Sequence, residues 1–206
     1  MIDTRKVSYD ILKIVEDDDV YVGDVLDNAL RQLQFIDKRD RAFISRLVEG
    51  VTERRLSLDF LIEKFSDKSK NRNNKTGNSA KNNIKTSMKI ILRMGIYQIK
   101  YMDKIPDRAA VSEMVALTKK LGLDGYSGYV NALLRRIVKE KDEGRLDSYL
   151  VSRMDVRYST PKWLVDFFTQ TFGKEKAKLI LEDQYAEHDT VVRVNTLKTD
   201  KKSLAE

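Results

Sequence analysis

A chain of 206 residues, 41% hydrophobic and 34% charged, can bury one ordinary core and part of a second. No window approaches the roughly twenty uncharged apolar residues that a membrane span needs, and the N-terminal MIDTRKVSYD has no apolar signal core, so the expectation is a cytoplasmic protein with no membrane partner. With no cysteine and a single histidine, His188, disulfides, thiolate nucleophiles and Cys- or His-clustered metal sites are excluded, and no metal is expected.

In chain order, Val7, Ile11, Ile14 and Val15 recur at helical spacing, and the aspartates at 17–19 lack the alternating ligands, central glycine and closing glutamate of a calcium loop. A second helix is predicted from about Gly23 to Leu33. Asp37 then caps a single long third helix, whose apolar positions Phe43, Ile44, Leu47, Val48, Val51, Leu58, Leu61, Ile62 and Phe65 share one face, with Gly50 as a point of weakness or bending. Between Ser66 and Lys89 seven cations face one anion, so this stretch holds +6 of the chain's net +7. Its six Asn and near absence of apolar residues read as a loop, either a solvated linker or a source of nonspecific attraction for a polyanion.

Met88, Ile91, Leu92, Ile96 and Ile99 predict a fourth helix. The stretch IPDRAAVSEMVALTKKLGLDGYSGYVNALLRRI (residues 105–137) predicts two more. The fifth starts at Pro106 and Asp107, with the Asp107 carboxylate accepting from open backbone N–H groups, and stops at Gly122. The sixth buries Val130, Leu133, Leu134, Ile137 and Val138 and carries Arg135, Arg136 and Lys139 on its last turn, where cations are favoured by the helix dipole. Residues 141–160, opening with the polar KDEGRLDSYL, read as a linker. Thr160-Pro161 opens another helix, with Leu164, Phe167, Phe168 and Phe172 on one face, Trp163 as a core anchor and Gly173 as its stop. Lys174 to Gln184 completes a helical pair. The TVVRVN run at 190–195 is the only persuasive strand, and a lone strand needs partners beyond Glu206, so the chain reads as a fragment.

The order LVEGVTERRLSLDFLIEKF, ILRMGIYQIKYMDKIPDRAAVSEMV, GYVNALLRRI resembles the NusB fold, an all-helical module known for binding RNA and ribosomal partners. The continuation, RYSTPKWLVDFF and VVRVNTLKTD, is similar to the segment that leads into the catalytic half in the RsmB (Sun) family of 16S rRNA (cytosine-C5)-methyltransferases. The resemblance implies an all-α, NusB-like helical bundle at 1–140, the linker at 141–160, and at 161–206 a helical pair with the first strand of a truncated α/β region. It also implies an RNA-recognition role, with 16S rRNA as partner and a ribosomal protein as a possible second one. S-adenosylmethionine is expected only for a full-length protein. Members of that family attack the cytosine ring with one cysteine and release product with another. A chain without cysteine lacks that activating step, and Gly122, Gly125 and Gly128 follow a helix rather than a strand, so no cofactor site is expected within these residues.

The residues singled out for RNA are Arg5 and Lys6 on the first helix, Arg135, Arg136 and Lys139 on the sixth, and Arg193 and Asn195, which match the family's R-x-N element. Arg54 and Arg55 are expected to run along the core edge and pair with acids such as Glu53 or Asp59. Two other readings stay open. One is a free NusB-type antitermination factor that binds RNA and a ribosomal protein. The other is a helical protein-interaction domain whose basic loop is only a linker.

Overall fold

In a computed structural model the described residues are 2–66, 86–186 and 191–205. The helices, in chain order, are α1 (Thr4–Asp18), α2 (Val22–Gln32), α3 (Lys38–Glu53), α4 (Arg55–Phe65), α5 (Thr86–Tyr101), α6 (Asp107–Lys120), α7 (Ser127–Asp142), α8 (Met154–Arg157), α9 (Lys162–Phe172), α10 (Lys174–Asp183) and α11 (Lys201–Ala205), with a 3-10 turn at Asp124–Tyr126. The chain divides into two compact units, 1–167 and 168–206.

The first unit is an all-α bundle built around α5. Every residue from Ile90 to Ile99 is buried, so this run has no solvent face, and α1, α3, α4, α6 and α7 all pack against the helix. A helix that is apolar nearly all round must be enclosed by others, and the charged and amide side chains in that run, Arg93 and Gln98, are both satisfied. Arg93 donates from Nε and Nη2 to the two carboxylate oxygens of Asp59 at 2.7 and 2.8 Å, and from Nη1 to Glu16 at 2.7 Å. Gln98 Nε2 donates to the Met94 carbonyl at 3.0 Å.

The long third helix expected over 37–65 is two helices. The break falls at Arg54 (φ −95°, ψ 13°), four residues after Gly50. Gly50 itself stays helical and buried, because the Tyr97 ring lies over it: a Cβ there would sit 2.0 Å from Tyr97 Cζ. At the break, the Leu56 N–H donates to Ser159 Oγ at 2.9 Å, and Ser57 Oγ donates to the Val156 carbonyl. A segment distant in sequence therefore completes the hydrogen bonding of a helix start that has no cap of its own.

That segment corrects a second expectation. Residues 141–160 are not a loose connection, since Leu146, Leu150, Val156 and Tyr158 are buried, the first three within the main core cluster, and α8 packs on α4. The polar spacing of KDEGRLDSYL hides these anchors because they are too few to make a periodic face. Asp107 also differs: it is the first residue of α6 without a side-chain cap, and its carboxylate takes Lys141 Nζ at 2.9 Å while the same ammonium donates to the Ile99 carbonyl at 2.6 Å. The predicted stop at Gly122 is observed, with φ +70° and Leu123 N–H returning to the Thr118 carbonyl at 3.0 Å, the closure expected of a left-handed C-terminal cap. Trp163 is 70% exposed and is not a core anchor; it stands on the solvent side of α9, whose buried residue is Val165.

In the second unit α10 buries Ala177 and Leu181. Residues 191–195 form no ladder, and no strand occurs among the described residues. Residues 191–195 have no neighbouring strand among the described residues to donate to, and an unpaired strand gains nothing from its backbone groups. Thr190 and His188 lie outside the described residues, as do 67–85 of the basic stretch.

Candidate nucleic-acid interface

Helix α7 positions the best group of cations. Its apolar residues Val130, Leu133, Leu134 and Ile137 are buried, which turns Arg135, Arg136 and Lys139 outward, Arg135 and Arg136 on one exposed step and Lys139 a turn later. The helix runs on to Asp142, so Arg135 and Arg136 sit a turn earlier than expected and the last-turn cations are Lys139 and Lys141. Arg135 Nε donates to Asn131 Oδ1 at 3.1 Å, one turn back along the same face. The Arg136 guanidinium lies 5.2 Å over the Phe65 ring of α4, and Lys64 stands 4.1 Å over Tyr149. Phe65 and Tyr149 meet edge to face at 5.5 Å. A small aromatic pair thus supports two cations that keep their charge in solvent.

Two acids near this group, Glu140 and Glu143, are engaged by Arg145. Glu140 accepts from Arg145 Nε at 2.9 Å and from the Tyr149 hydroxyl at 2.8 Å, which holds its carboxyl below the usual glutamate range. Lys139 reaches Glu143 only at 4.0 Å. The basic stretch begins where Ser66, at the end of α4, shares a 2.7 Å hydrogen bond with Tyr129 of α7.

Arg5 and Lys6 do not join this group. Arg5 Nε donates to the buried Gln98 at 2.9 Å, its guanidinium lies 5.1 Å over Phe43, and Glu113 is 3.8 Å away. Burial pushes the Arg5 pKa down against the pull of Glu113 and Asp3. This arginine fastens α1 to α5, α3 and α6. Lys6 pairs with Asp10 at 2.6 Å. In the second unit Arg193 is exposed, while Asn195 Oδ1 accepts from Leu197 N–H at 3.1 Å and its carbonyl accepts from Lys198 and Thr199, so Asn195 shapes a turn. Arg55 pairs with Glu16 at 3.2 Å rather than with Asp59, and Arg54 lies 5.1 Å over Tyr101.

Gly122 caps α6, Gly125 lies in the 3-10 turn and Gly128 in the first turn of α7, so these glycines form no strand-to-helix cradle. Among the described residues there is also no group of three or more metal-ligating side chains, and no helix is long and apolar enough to cross a membrane.

Several known proteins are similar to this chain. The probable ribosomal RNA small subunit methyltransferase B of Synechocystis sp. is 32% identical over 208 aligned residues, covering 100% of this chain and 44% of that protein. The protein of the same name from Bacillus subtilis is 28% identical over 97% of this chain and 42% of its own length. The chain therefore spans less than half the length of these curated relatives. The transcription antitermination protein NusB of Natranaerobius thermophilus is 30% identical over 62% of this chain and 83% of its own length. With a helical bundle wrapped on α5 and a family match running over residues 3–139, the chain belongs to the NusB family.

Proposed function

We propose that this chain is the RNA-recognition part of an rRNA cytosine-C5 methyltransferase, binding and positioning 16S rRNA while methyl transfer from S-adenosylmethionine takes place in a part of the protein outside these residues. The observation that carries the reading is the extent of the similarity. The methyltransferases align over 97–100% of this chain, a span that takes in α8, α9 and α10, whereas the antitermination protein aligns over 62%. The outward α7 cations Arg135, Arg136 and Lys139 supply a surface for phosphates, and the absence of cysteine keeps the ring-attacking thiolate out of this stretch.

Each phosphate contact on a single strand contributes about 0.7 to the slope of log affinity against log salt. Replacing Arg135, Arg136 and Lys139 by Gln together should lower that slope by about 2 on a 16S rRNA fragment. Filter binding of the 206-residue chain to 16S rRNA fragments and to tRNA tests the wider claim: preference for the ribosomal RNA supports it, and equal or absent binding removes it. The similarity to an antitermination protein over 83% of that protein favours a second reading, a free factor that pairs RNA with a ribosomal protein. Co-purification of a ribosomal protein with the RNA-bound chain would favour that factor.

A further inference from the structure

We infer a second RNA contact at the turn between α2 and α3, where Phe35 stacks on an unpaired base and Arg31, Lys38 and Arg39 hold the flanking phosphates. This rests on the RNA-binding reading and extends it to a surface that α7 does not include. Phe35 is 91% exposed, the most exposed aromatic side chain among the described residues. Its position is imposed by its neighbours. Leu33 and Ile36 are half-buried against the core, and Ile36 N–H closes the turn on the Leu33 carbonyl at 3.2 Å, so the ring between them has to point outward from a fixed backbone.

Isolated exposed apolar residues are ordinary on protein surfaces, and the charge around this one separates it from the rest. Arg31, Lys38 and Arg39 are all exposed, and none forms an ion pair with any described residue. The intervening acid, Asp37, is occupied as the N-cap of α3, accepting from Arg39 N–H at 2.6 Å. An outward aromatic plane with three such cations within four residues of it in sequence suits single-stranded RNA, whose bases offer faces for stacking and whose phosphates need cations. A duplex hides its bases and would use the cations alone.

The test uses the 206-residue chain and a single-stranded RNA of about 12 nucleotides, within the usual site size for such strands, with the annealed duplex as comparison. Phe35→Ala should weaken single-strand binding about 5- to 150-fold and leave duplex binding and the salt slope unchanged. Replacing Arg31, Lys38 and Arg39 by Gln should lower the salt slope by about 2 on the single strand. Because the Phe35 side chain stands almost wholly in solvent, thermal unfolding should not move. A Phe35→Trp variant in a Trp163→Phe background should show its emission quenched by the single strand. Unchanged affinity and slope in these variants, with wild-type binding intact, overturn the site while the α7 reading stands. Absence of RNA binding by the wild-type chain overturns both. Variant effects seen only with anionic lipid vesicles or an acidic protein also overturn the site.

Discussion

Gly50 and Tyr97 show how a single missing side chain can set the spacing of two helices. A Cβ at position 50 would lie 2.0 Å from both Tyr97 Cζ and Oη, and Tyr97 is buried, so the ring cannot simply swing into solvent. Helix propensity favours alanine by about 1 kcal/mol, while overpacking costs about 1–3 kcal/mol. Gly50→Ala is therefore expected to destabilise the fold by up to about 2 kcal/mol, with recovery when Tyr97→Leu is added, as read by denaturant midpoints. A titrating residue gives a second prediction. The Arg145 and Tyr149 hydrogen bonds hold the Glu140 carboxyl below its ordinary value. A lowered folded pKa adds stability that is present above the unfolded value and lost as pH falls through the folded one. Between those two values, unfolding midpoints of the wild type should fall more steeply with acidity than those of Glu140→Gln.

Among the buried polar groups, the Arg93 ion pairs carry the largest expected effect. Removing one member of a buried ion pair costs about 3–5 kcal/mol because a charge stays behind without its partner. Arg93→Met strips Asp59 and Glu16 of the guanidinium they share, and both remain partly open to water, with side-chain exposures of 29% and 19%. The loss should therefore fall near the lower end of that range in chemical denaturation.

At the scale of elements, the helices are legible in the sequence because their apolar residues repeat at three and four residues, and α1, α2, α6 and α7 lie where that repeat puts them. Two features escape the pattern. The break at Arg54 leaves the apolar spacing of α3 and α4 almost in phase, so periodicity cannot see it; its mark is in Ser57 and Ser159, whose partners are about a hundred positions away in sequence. The burial of 146–158 is equally invisible, because four anchors spread through polar residues make no period. Each of the two serine hydrogen bonds contributes about 1 kcal/mol. Ser57→Ala and Ser159→Ala should each lower stability by about that amount, and the pair should fall short of additive because both fasten one segment. The candidate site is legible only where cations share a helix face. Arg135, Arg136 and Lys139 can be read that way, whereas the engagement of Arg5 with Gln98 depends on a tertiary contact 93 residues away, and Phe35 carries no sequence signal beyond being an aromatic in a turn.

For the whole molecule, stability should grade outward from α5. Its amides lie in a helix enclosed by five others, while α11 and residues 191–200 expose nearly every side chain. Native-state hydrogen exchange should find α5 protected to the global unfolding free energy and residues 191–205 exchanging close to the rate of a free peptide. Equal protection in both would contradict this grading.

The hydrogen bonds that tie Val156 and Ser159 to α4 have a consequence for biosynthesis. As the polypeptide emerges from the ribosome, the first turn of α4 waits for about a hundred further residues before its backbone is completed. A nascent bundle cut short near residue 140 would already hold its central helix yet keep an open seam at Leu56, so the arrival of Ser159, just past α8, outside the tunnel, rather than the making of α7, is the step that closes it.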